Sequence, residues 1–385
     1  MPVPYWRLSG FYFFYFATLG AFLPFWSLYL KQAGFAADEI GELTALMVAT
    51  KIVAPNYWGW LADKTGRNLR LIRLTLLLAA SSFAGFLFRN DYWWFALVTV
   101  GFSFFWNATL PQFEAATLFH LQSEPQRYSQ IRLWGSIGFI VAVLGIGRFL
   151  DYFSIANLPL VIGGLMLSNW LAALLTPEAL PRGDRGQSGP GIWQILLRGE
   201  LLAFLLVYLL LQVAHGPYYV FYSVYLKQHG YTATETGLLW ATGVAAEILL
   251  FLAMRRLLSW CRPRSLLLWA IALSVVRWWL IADGVDSLAL TVAAQLLHAA
   301  TFGVAHVVAM QLLYHYFGER HQSKGQALYS SASFGVGGMA GSLYSGYFWD
   351  LLGGREVYLV AALVCGVAWL IAFVGVARES RPRLG

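Results

Sequence analysis

The chain alternates between long apolar runs and short segments that carry charged residues, glycine or proline. The apolar runs predict twelve helices, over residues 7–30, 38–60, 70–88, 93–118, 130–150, 155–176, 199–227, 234–257, 264–282, 286–316, 324–347 and 354–377. A helix needs about 20 apolar residues to cross a membrane, whereas the strands of a membrane β-barrel are about 10 residues long and alternate in polarity. The pattern therefore predicts an all-α polytopic membrane protein with twelve transmembrane helices.

One segment of the chain occurs nearly twice. Residues 27–43 read SLYLKQAGFAADEIGEL and residues 223–239 read SVYLKQHGYTATETGLL, with ten identical positions at an offset of 196. Six predicted helices separate the copies, so both halves have the same orientation, as parallel repeats related by an axis along the membrane normal do. We therefore predict two six-helix bundles, residues 1–176 and 199–385, joined by a cytoplasmic linker at residues 177–198 that is rich in Gly, Pro and charged residues.

Composition and charge agree with a membrane protein. Apolar residues make up 59% of the chain and charged residues 12%, whereas soluble domains have about 25% charged residues. Eighteen of the 26 Lys and Arg fall in loops on the side of the termini, five on the other side and three inside predicted spans. By the positive-inside rule, both termini are cytoplasmic. The net charge of +7 thus reflects topology and does not indicate a nucleic-acid partner.

The same features predict the location of the protein. We expect a monomeric multi-pass protein of a bacterial inner membrane, in contact with the lipid bilayer and without a cleavable signal peptide, since the first apolar run has the length of a span. The two cysteines, Cys261 and Cys365, lie in a cytoplasmic loop and a late helix and suggest neither a disulfide nor a metal motif.

The loop after the second predicted helix carries a motif. Residues 59–70 read GWLADKTGRNLR and resemble the Gly-x-Leu-x-Asp-Lys/Arg-x-Gly-Arg/Lys signature of the major facilitator superfamily. The matching positions are Gly59, Asp63, Lys64, Gly66 and Arg67. Glycine permits a tight turn here, and Asp63 can accept hydrogen bonds from a neighbouring helix N-terminus. The alternative is an ordinary basic turn, and the equivalent loop after the eighth helix lacks the pattern. The resemblance implies a secondary transporter with the fold of that superfamily.

Further motifs narrow the resemblance. The segments LLQVAHGPYY, LLWATGVAAEILLF, VVRWW and QLLHAATFGVAHVVAM resemble the phenylpropionate permease family, over essentially the whole chain. Glu114 on the fourth predicted helix and Arg132 in the segment YSQIRLWGSIGF are similar to the Glu–Arg pair that lactose-permease-like proton symporters use for substrate. The resemblance implies proton-coupled transport.

Ionisable residues also occur at membrane depth. Lys51, Glu247, Arg277 and His298 lie twelve or thirteen residues into their predicted helices, near the midplane at 1.5 Å per residue. Such residues usually face a bundle interior or a water-filled cavity. The repeat offset relates Lys51 to Glu247, so the two halves carry opposite charges at equivalent positions. This suits an asymmetric substrate, and the alternative is a buried structural ion pair.

Helix periodicity places polar residues on shared faces. Ser103, Asn107, Glu114 and Thr117 share a face of the fourth helix, and Tyr208, Gln212, His215, Tyr219 and Tyr222 share a face of the seventh. We predict that substrate is bound by residues of both halves: Lys51, Asn107, Glu114, Arg132, His215, Tyr219 and Tyr222.

Candidate proton carriers are found in the second half. We predict that Glu247, Arg277, His298 and His306 couple transport to protons, because imidazole titrates near physiological pH. The alternative is that the histidines are hydrogen-bonded packing residues. His298 and His306 are about 12 Å apart along a helix, so they cannot share one metal ion. Gly337 and Gly341 have the G-x-x-x-G spacing of close helix packing.

These features favour a secondary transporter over an intramembrane enzyme or a non-transporting sensor. The sequence contains no H-E-x-x-H, G-x-S-x-G or Walker motif, so we expect neither an enzyme nor a cofactor. Three basic against two acidic residues inside the spans favour a monoanion, and the aromatic residues favour a ring. Carrying one proton makes import of a monoanion electroneutral. We therefore expect proton symport of a small phenylpropionate-like acid. The alternatives are a sugar or nucleoside symporter and a drug or metabolite exporter.

Overall fold

The computed structural model describes residues 3–121, 124, 126–178 and 196–376, and within these ranges every regular element is a helix. The α-helices are α1 (Tyr5–Gln32), α2 (Ala37–Thr65), α3 (Asn68–Phe83), α4 (Tyr92–His120), α5 (Arg127–Tyr152), α6 (Leu158–Leu175), α7 (Gly199–Gln228), α8 (Ala233–Trp260), α9 (Pro263–Gly284), α10 (Leu288–Leu296), α11 (Ala305–Ser330), α12 (Gly338–Leu352) and α13 (Gly354–Gly375). Two π-helical segments, Ala299–Val304 and Ser331–Gly337, interrupt the later helices. The predicted all-α fold is confirmed.

Ten helices within the described ranges are long and apolar enough to cross a membrane. The other two predicted spans are helical as well, but they differ in character. Acidic and basic residues reduce the hydropathy of α2, and the span predicted at 324–347 is divided between α11 and α12 by a π-helical segment. The backbone of α11 also leaves helical geometry at Gly318, where φ is 59°. The predicted pattern of spans therefore agrees with the fold.

The repeated segment adopts the same local structure in both copies. Gly34 and Gly230 end α1 and α7 with positive φ values of 97° and 84°, which glycine adopts without strain. The carboxylate of Glu39 accepts a hydrogen bond of 2.9 Å from the backbone N–H of Ala36 at the start of α2. Glu235 makes the equivalent bond of 2.8 Å at the start of α8. The repeat therefore encodes a helix, a glycine turn and a carboxylate-capped helix.

Glycines bring α1 into close contact with α5. A Cβ atom at Gly20 would lie 2.6 Å from the carbonyl oxygen of Phe139, and one at Gly138 would overlap the backbone of Phe13. No larger residue fits at either position without moving backbone.

The same crossing recurs between α7 and the helix that contains the second π segment. A Cβ at Gly337 would lie 2.6 Å from the carbonyl oxygen of Leu209, and one at Gly341 would lie 2.7 Å from that of Val213. Gly216, which is 196 residues after Gly20, contacts Gly341 directly. The predicted packing role of Gly337 and Gly341 is confirmed.

The chain divides into two compact units. The first, unit 1, contains Met1–Arg185 and Tyr231–Leu238, and the second, unit 2, contains Gly186–Gly230 and Leu239–Gly385. The first turn of α8 groups with unit 1, where the carboxylate of Asp151 accepts hydrogen bonds of 3.0 Å from Ala233 N and 3.2 Å from Thr234 N. The predicted bundles assign this turn to the second half, and most of the predicted linker lies outside the described residues.

The glycine crossing gives a testable prediction for stability. We expect Gly341→Ala to lower the free energy of unfolding by about 1–3 kcal/mol, because the new Cβ must displace the backbone of α7. The measurement is the melting temperature of the purified protein in detergent. Gly366→Ala is the matched control, since a Cβ at Gly366 meets nothing within 4 Å. Equal melting temperatures for the two variants would show that the crossing relaxes at no cost.

Candidate substrate and coupling sites

The predicted pair of Glu114 and Arg132 forms in unit 1. Arg132 Nε on α5 lies 3.8 Å from Glu114 Oε1 on α4, and about a third of each side chain is accessible. This distance is longer than the 2.7–3.2 Å typical of an N–H···O hydrogen bond. Arg132 and Glu114 therefore interact as opposite charges, but at this distance Nε makes no hydrogen bond to Glu114.

Aromatic rings support Arg132. Its guanidinium carbon lies 3.9 Å from the ring centroid of Phe16 and 5.7 Å from that of Tyr12. A Cβ at Gly135, almost one helical turn after Arg132, would lie 2.7 Å from the Phe16 ring and 2.8 Å from Arg132 Nη1. Glycine at this position leaves the space that the stacked guanidinium occupies. Phe16 and Gly135 were not predicted from the sequence, although a glycine three residues after a membrane-embedded arginine was a visible signal.

The polar face of α4 serves partly to join helices. The amide of Asn107 donates to Met47 O at 3.1 Å and to Thr50 Oγ1 at 2.8 Å, both on α2. Thr50 in turn donates to Ser103 Oγ at 3.0 Å. Further along α4, Thr117 accepts a hydrogen bond of 3.2 Å from the hydroxyl of Tyr12 on α1. Asn107 was predicted to bind substrate, but its amide hydrogens form hydrogen bonds that join α4 to α2.

Lys51 follows Thr50 on α2 but does not take part in these hydrogen bonds. Its side chain is exposed. It has neither a hydrogen-bond partner nor an ion-pair partner among the residues that the structure describes. Within the predicted membrane spans of unit 1, two cations are therefore accessible at least in part, Lys51 on α2 and Arg132 on α5.

Arg277 is the centre of a buried polar network in unit 2. Its side chain is 0% exposed. Nε donates to Ala294 O at 3.1 Å and Nη1 donates to Thr301 Oγ1 at 3.2 Å. The guanidinium also lies 4.3 Å from the ring centroid of Tyr218 and 4.6 Å from that of Trp278. Carbonyl, hydroxyl and aromatic rings, and not a directly bonded carboxylate, surround this charge within the described part of the chain.

Tyr218 links Arg277 to the other predicted coupling residues. Its hydroxyl donates to Gln295 Oε1 at 2.9 Å, and its ring stacks on His298 with centroids 5.6 Å apart. His298 Nε2 lies 3.8 Å from Glu247 Oε2. The structure thus brings Glu247, Arg277 and His298 together around Tyr218. Tyr218 itself was not predicted as a site residue.

A π-helical segment shapes this network. Residues Ala299–Val304 follow His298 directly and contain Thr301, the hydrogen-bond partner of Arg277. π-helical turns are rare and occur frequently at functional sites. The rings of His298, Phe302 and His306 lie nearly parallel, with centroids 5.4 and 6.2 Å apart. The ring of Phe302 therefore lies between the two imidazoles, and His306 lies at the edge of the network.

The predicted residues of α7 differ in accessibility. His215 is buried, its Nδ1 lies 2.7 Å from Leu211 O, and its ring packs edge-on against Trp278 with centroids 4.9 Å apart. Tyr219 is half-buried beside it. Tyr222 is fully buried against Tyr218. All three contact the network around Arg277: His215 through the ring of Trp278, and Tyr219 and Tyr222 through the ring of Tyr218, with centroids 5.4 and 4.9 Å apart.

The loop between α2 and α3 agrees with its motif in part. Gly66 ends α2 with φ 63° and bonds back to Ala62 O at 2.8 Å, as predicted for a tight turn. Lys64 lies over the ring of Trp60 at 5.1 Å. Gly59 has open space around it, and Asp63 and Arg67 are exposed. Asp63 makes no hydrogen bond within the described ranges, so its predicted contact with a helix N-terminus is not observed there.

Two open pockets lie away from these residues and are related by the repeat. One, of about 720 Å³, is lined by Tyr29 and Asn90 among others, and the other, of about 730 Å³, by Tyr225 and Asp286. The offset of 196 relates the two pairs. Since none of the predicted site residues lines either pocket, we assign no substrate role to them.

Known proteins similar to this chain agree with a transporter fold. The sequence matches the MFS_1 like family over residues 5–360. It is 31% identical over 375 residues to a "Probable 3-phenylpropionic acid transporter" of Escherichia coli, covering 93% of this chain and 94% of the relative. It is 29% identical over 383 residues to a maltose permease of Geobacillus stearothermophilus, covering 96% and 94%.

Solved structures extend the comparison to the fold. Crystal structures of the nucleoside transporter NupG superpose with TM-scores of 0.88 for a mutant and 0.83 for the unmutated protein, at 17% and 18% identity, and each covers at least 96% of both chains. At this identity, the likeness concerns the fold alone. The family match and the relative with 31% identity extend over nearly the whole chain. The chain is therefore a multi-pass membrane transporter, not an enzyme, and belongs to the MFS_1 like family of the major facilitator superfamily.

Proposed function

We propose that this transporter is a proton symporter that imports a small aromatic carboxylate of the phenylpropionate class. The observation that carries the proposal is the pair of accessible cations in unit 1. Lys51 has no partner within the described residues, and Arg132 lies 3.8 Å from its acid. A membrane-embedded cation that stays accessible and weakly paired is suited to an anion that arrives from outside the protein.

The surroundings of Arg132 support an aromatic anion. A guanidinium presents several donors in a planar fork that matches a carboxylate. Phe16 covers one face of this fork at 3.9 Å, which leaves the N–H edges for a ligand. Phe11 and Phe113 stack with centroids 3.4 Å apart, and Tyr15 and Trp106 with centroids 4.5 Å apart, so that buried aromatic packing joins α1 and α4 in this unit. The name of the Escherichia coli relative supports the same substrate class.

A sugar or nucleoside is the second candidate. The loose pair of Glu114 and Arg132 offers both acceptors and donors, which suits hydroxyl groups. The names of the maltose permease and of the nucleoside transporter NupG support this candidate. The carboxylate is favoured because Lys51 adds a second accessible cation that a neutral substrate does not require.

The coupling site is proposed in unit 2. Glu247 and His298 are 3.8 Å apart, and both are largely buried. A proton held by Glu247 removes the negative charge beside His298, so its arrival or departure changes the electrostatics of the whole network. Such a differential interaction is what ion binding needs in order to bias a conformational equilibrium. We further propose that the protein is located in a bacterial inner membrane with both termini in the cytoplasm, as its Lys and Arg distribution indicates.

Substrate charge gives the first prediction for function. We expect the purified protein to bind 3-phenylpropionate about 10- to 100-fold more tightly than its amide, since a hydrogen bond to a charged group contributes about 1.5–3 kcal/mol. Arg132→Gln should reduce the preference to within a few-fold. Binding is measured by tryptophan fluorescence or calorimetry.

Arg89→Gln is the matched control for that measurement. Arg89 is also paired with an acid, at 2.9 Å from Asp91, but it is exposed outside the predicted spans. The variant should keep the full preference for the acid. Equal affinity of the wild-type protein for the acid and the amide would contradict an anionic substrate.

Proton coupling gives the second prediction. We expect Glu247→Gln to abolish uphill uptake in proteoliposomes while exchange of substrate down its gradient persists, because the neutral side chain cannot release a proton. Uphill uptake is driven by an imposed pH gradient, and exchange is measured without one.

Asp286→Asn is the control for the removal of a carboxylate. Asp286 is exposed in unit 2, away from the network around Arg277, so its variant should retain both activities. Survival of uphill uptake in Glu247→Gln and also in His298→Gln would place the proton carrier elsewhere.

A further inference from the structure

Arg132 and Gly135 lie almost one turn apart on α5, and both contact the ring of Phe16 on α1. The guanidinium carbon of Arg132 lies 3.9 Å from the centroid of this ring. A Cβ atom at Gly135 would lie 2.7 Å from Phe16 Cδ2 and 2.8 Å from Arg132 Nη1. Real Cβ atoms are essentially never closer than 3.0 Å to another heavy atom. Any side chain at position 135 would therefore displace the ring or the guanidinium.

Another glycine of the same helix is constrained in a different way. A Cβ at Gly138 would lie 2.2 Å from the carbonyl oxygen of Phe13, so a side chain there must move backbone. The three atoms nearest to a Cβ at Gly135 belong to side chains instead. The end of a long arginine side chain moves more easily than the backbone of a packed helix. Gly138 therefore serves the packing of α1 on α5, whereas Gly135 serves the position of the Arg132 side chain.

The stack leaves the hydrogen-bond donors of Arg132 available. The N–H groups of a guanidinium point outward in its plane, while an aromatic ring contacts its face. The carboxylate of Glu114 lies 3.8 Å from Arg132 Nε, beyond the usual hydrogen-bond distance. About a third of the Arg132 side chain is accessible. An anion can therefore reach donors whose direction the ring of Phe16 already fixes.

Fixing that direction before the anion arrives increases affinity. An arginine side chain has many rotamers, and a side chain that must be ordered during binding lowers the affinity for the ligand. Stacking on Phe16 orders the guanidinium in advance, and the absence of a side chain at Gly135 permits the stack. Both residues act on the ligand through Arg132.

We propose that Phe16 and Gly135 are positioning residues for the substrate anion. By holding the guanidinium of Arg132 against the ring, they determine how strongly the protein prefers a carboxylate to its neutral analogue. This inference rests on the proposed function, because it takes Arg132 as the group that binds the carboxylate. It adds the two residues that set the strength of that interaction.

The test measures the affinity for 3-phenylpropionate and for its amide in variants of both residues. We expect Gly135→Ala to bind the acid about two- to tenfold more weakly, the cost of ordering one long side chain. The affinity for the amide should stay nearly unchanged, so the ratio of the two affinities falls by the same factor. Phe16→Leu should have the same effect because leucine has no ring face, whereas Phe16→Tyr should keep the wild-type ratio.

The double variant tests whether the two residues act through one stack. If both variants release the same guanidinium, Gly135→Ala combined with Phe16→Leu should lose no more of the acid preference than the more affected single variant. Losses that multiply would show that the residues act independently, and would overturn the proposal.

Two variants serve as matched controls. Gly145→Ala adds a methyl group on the same helix, where a Cβ meets nothing within 4 Å. Phe14→Leu removes a ring from α1 that packs edge-on against Phe13, with centroids 5.3 Å apart. Both should keep the wild-type ratio. A variant that only disturbs the fold weakens binding of acid and amide alike, so the ratio separates positioning from packing.

The outcomes distinguish this inference from the proposed function. Wild-type protein that prefers the acid, with the same preference in Gly135→Ala and Phe16→Leu, overturns the positioning role and leaves the proposed function intact. Equal affinity of the wild-type protein for acid and amide overturns both. If Gly135→Ala does not fold, Phe16→Leu and Phe16→Tyr decide, because loss of the preference in leucine and its retention in tyrosine are both required.

Discussion

The buried guanidinium of Arg277 constrains the interior of unit 2, because a full charge removed from water costs several kcal/mol unless its surroundings compensate it. Here the compensation comes from Ala294 O, Thr301 Oγ1 and the ring of Tyr218. Each of these partners fixes a further element. The π-helical segment positions Thr301, and Gln295 orients the hydroxyl of Tyr218. The residues proposed for coupling therefore lie around a guanidinium group that stays buried inside unit 2.

The charged residues inside the predicted spans of unit 1 are more accessible than Arg277. Arg132 and Glu114 stay partly accessible, and Lys51 is exposed. Aromatic stacking on Phe16 holds the Arg132 guanidinium in place without consuming its donors. Two units with the same helix crossings thus carry different chemistry, one with accessible cations and one with a buried network. The glycines at the crossings make this possible, since contacts between backbones do not depend on the polar side chains elsewhere on the same helices.

Periodicity and repetition were sufficient to predict the framework. Apolar runs of span length require helices in a membrane, and the offset of 196 relates the turns at Gly34 and Gly230 in the sequence itself. The pairing of Glu114 and Arg132 was also predicted, from the resemblance to the Glu–Arg pair of lactose-permease-like symporters.

Side-chain direction could not be predicted in the same way. Asn107 shares a face with Glu114 by helix arithmetic, yet its amide turns to α2. The π-helical segment after His298 adds a residue that a count of 3.6 per turn does not contain, so the position of Thr301 beside Arg277 depends on packing. Phe16 and Gly135 act only through the guanidinium of Arg132, so their roles depend on a three-dimensional contact among residues on two helices.

The cap that Asp151 places on the first turn of α8 has a consequence for biogenesis. Its partner Thr234 lies 83 residues later in the chain. At a synthesis rate of about 5–20 residues per second, Asp151 leaves the ribosome about 4–17 seconds before the turn that it caps. Unit 1 is therefore not complete when its six helices α1 to α6 have been synthesised, because it also contains residues 231–238. The first turn of α8 is made after α7, so α7 is synthesised before unit 1 can be completed.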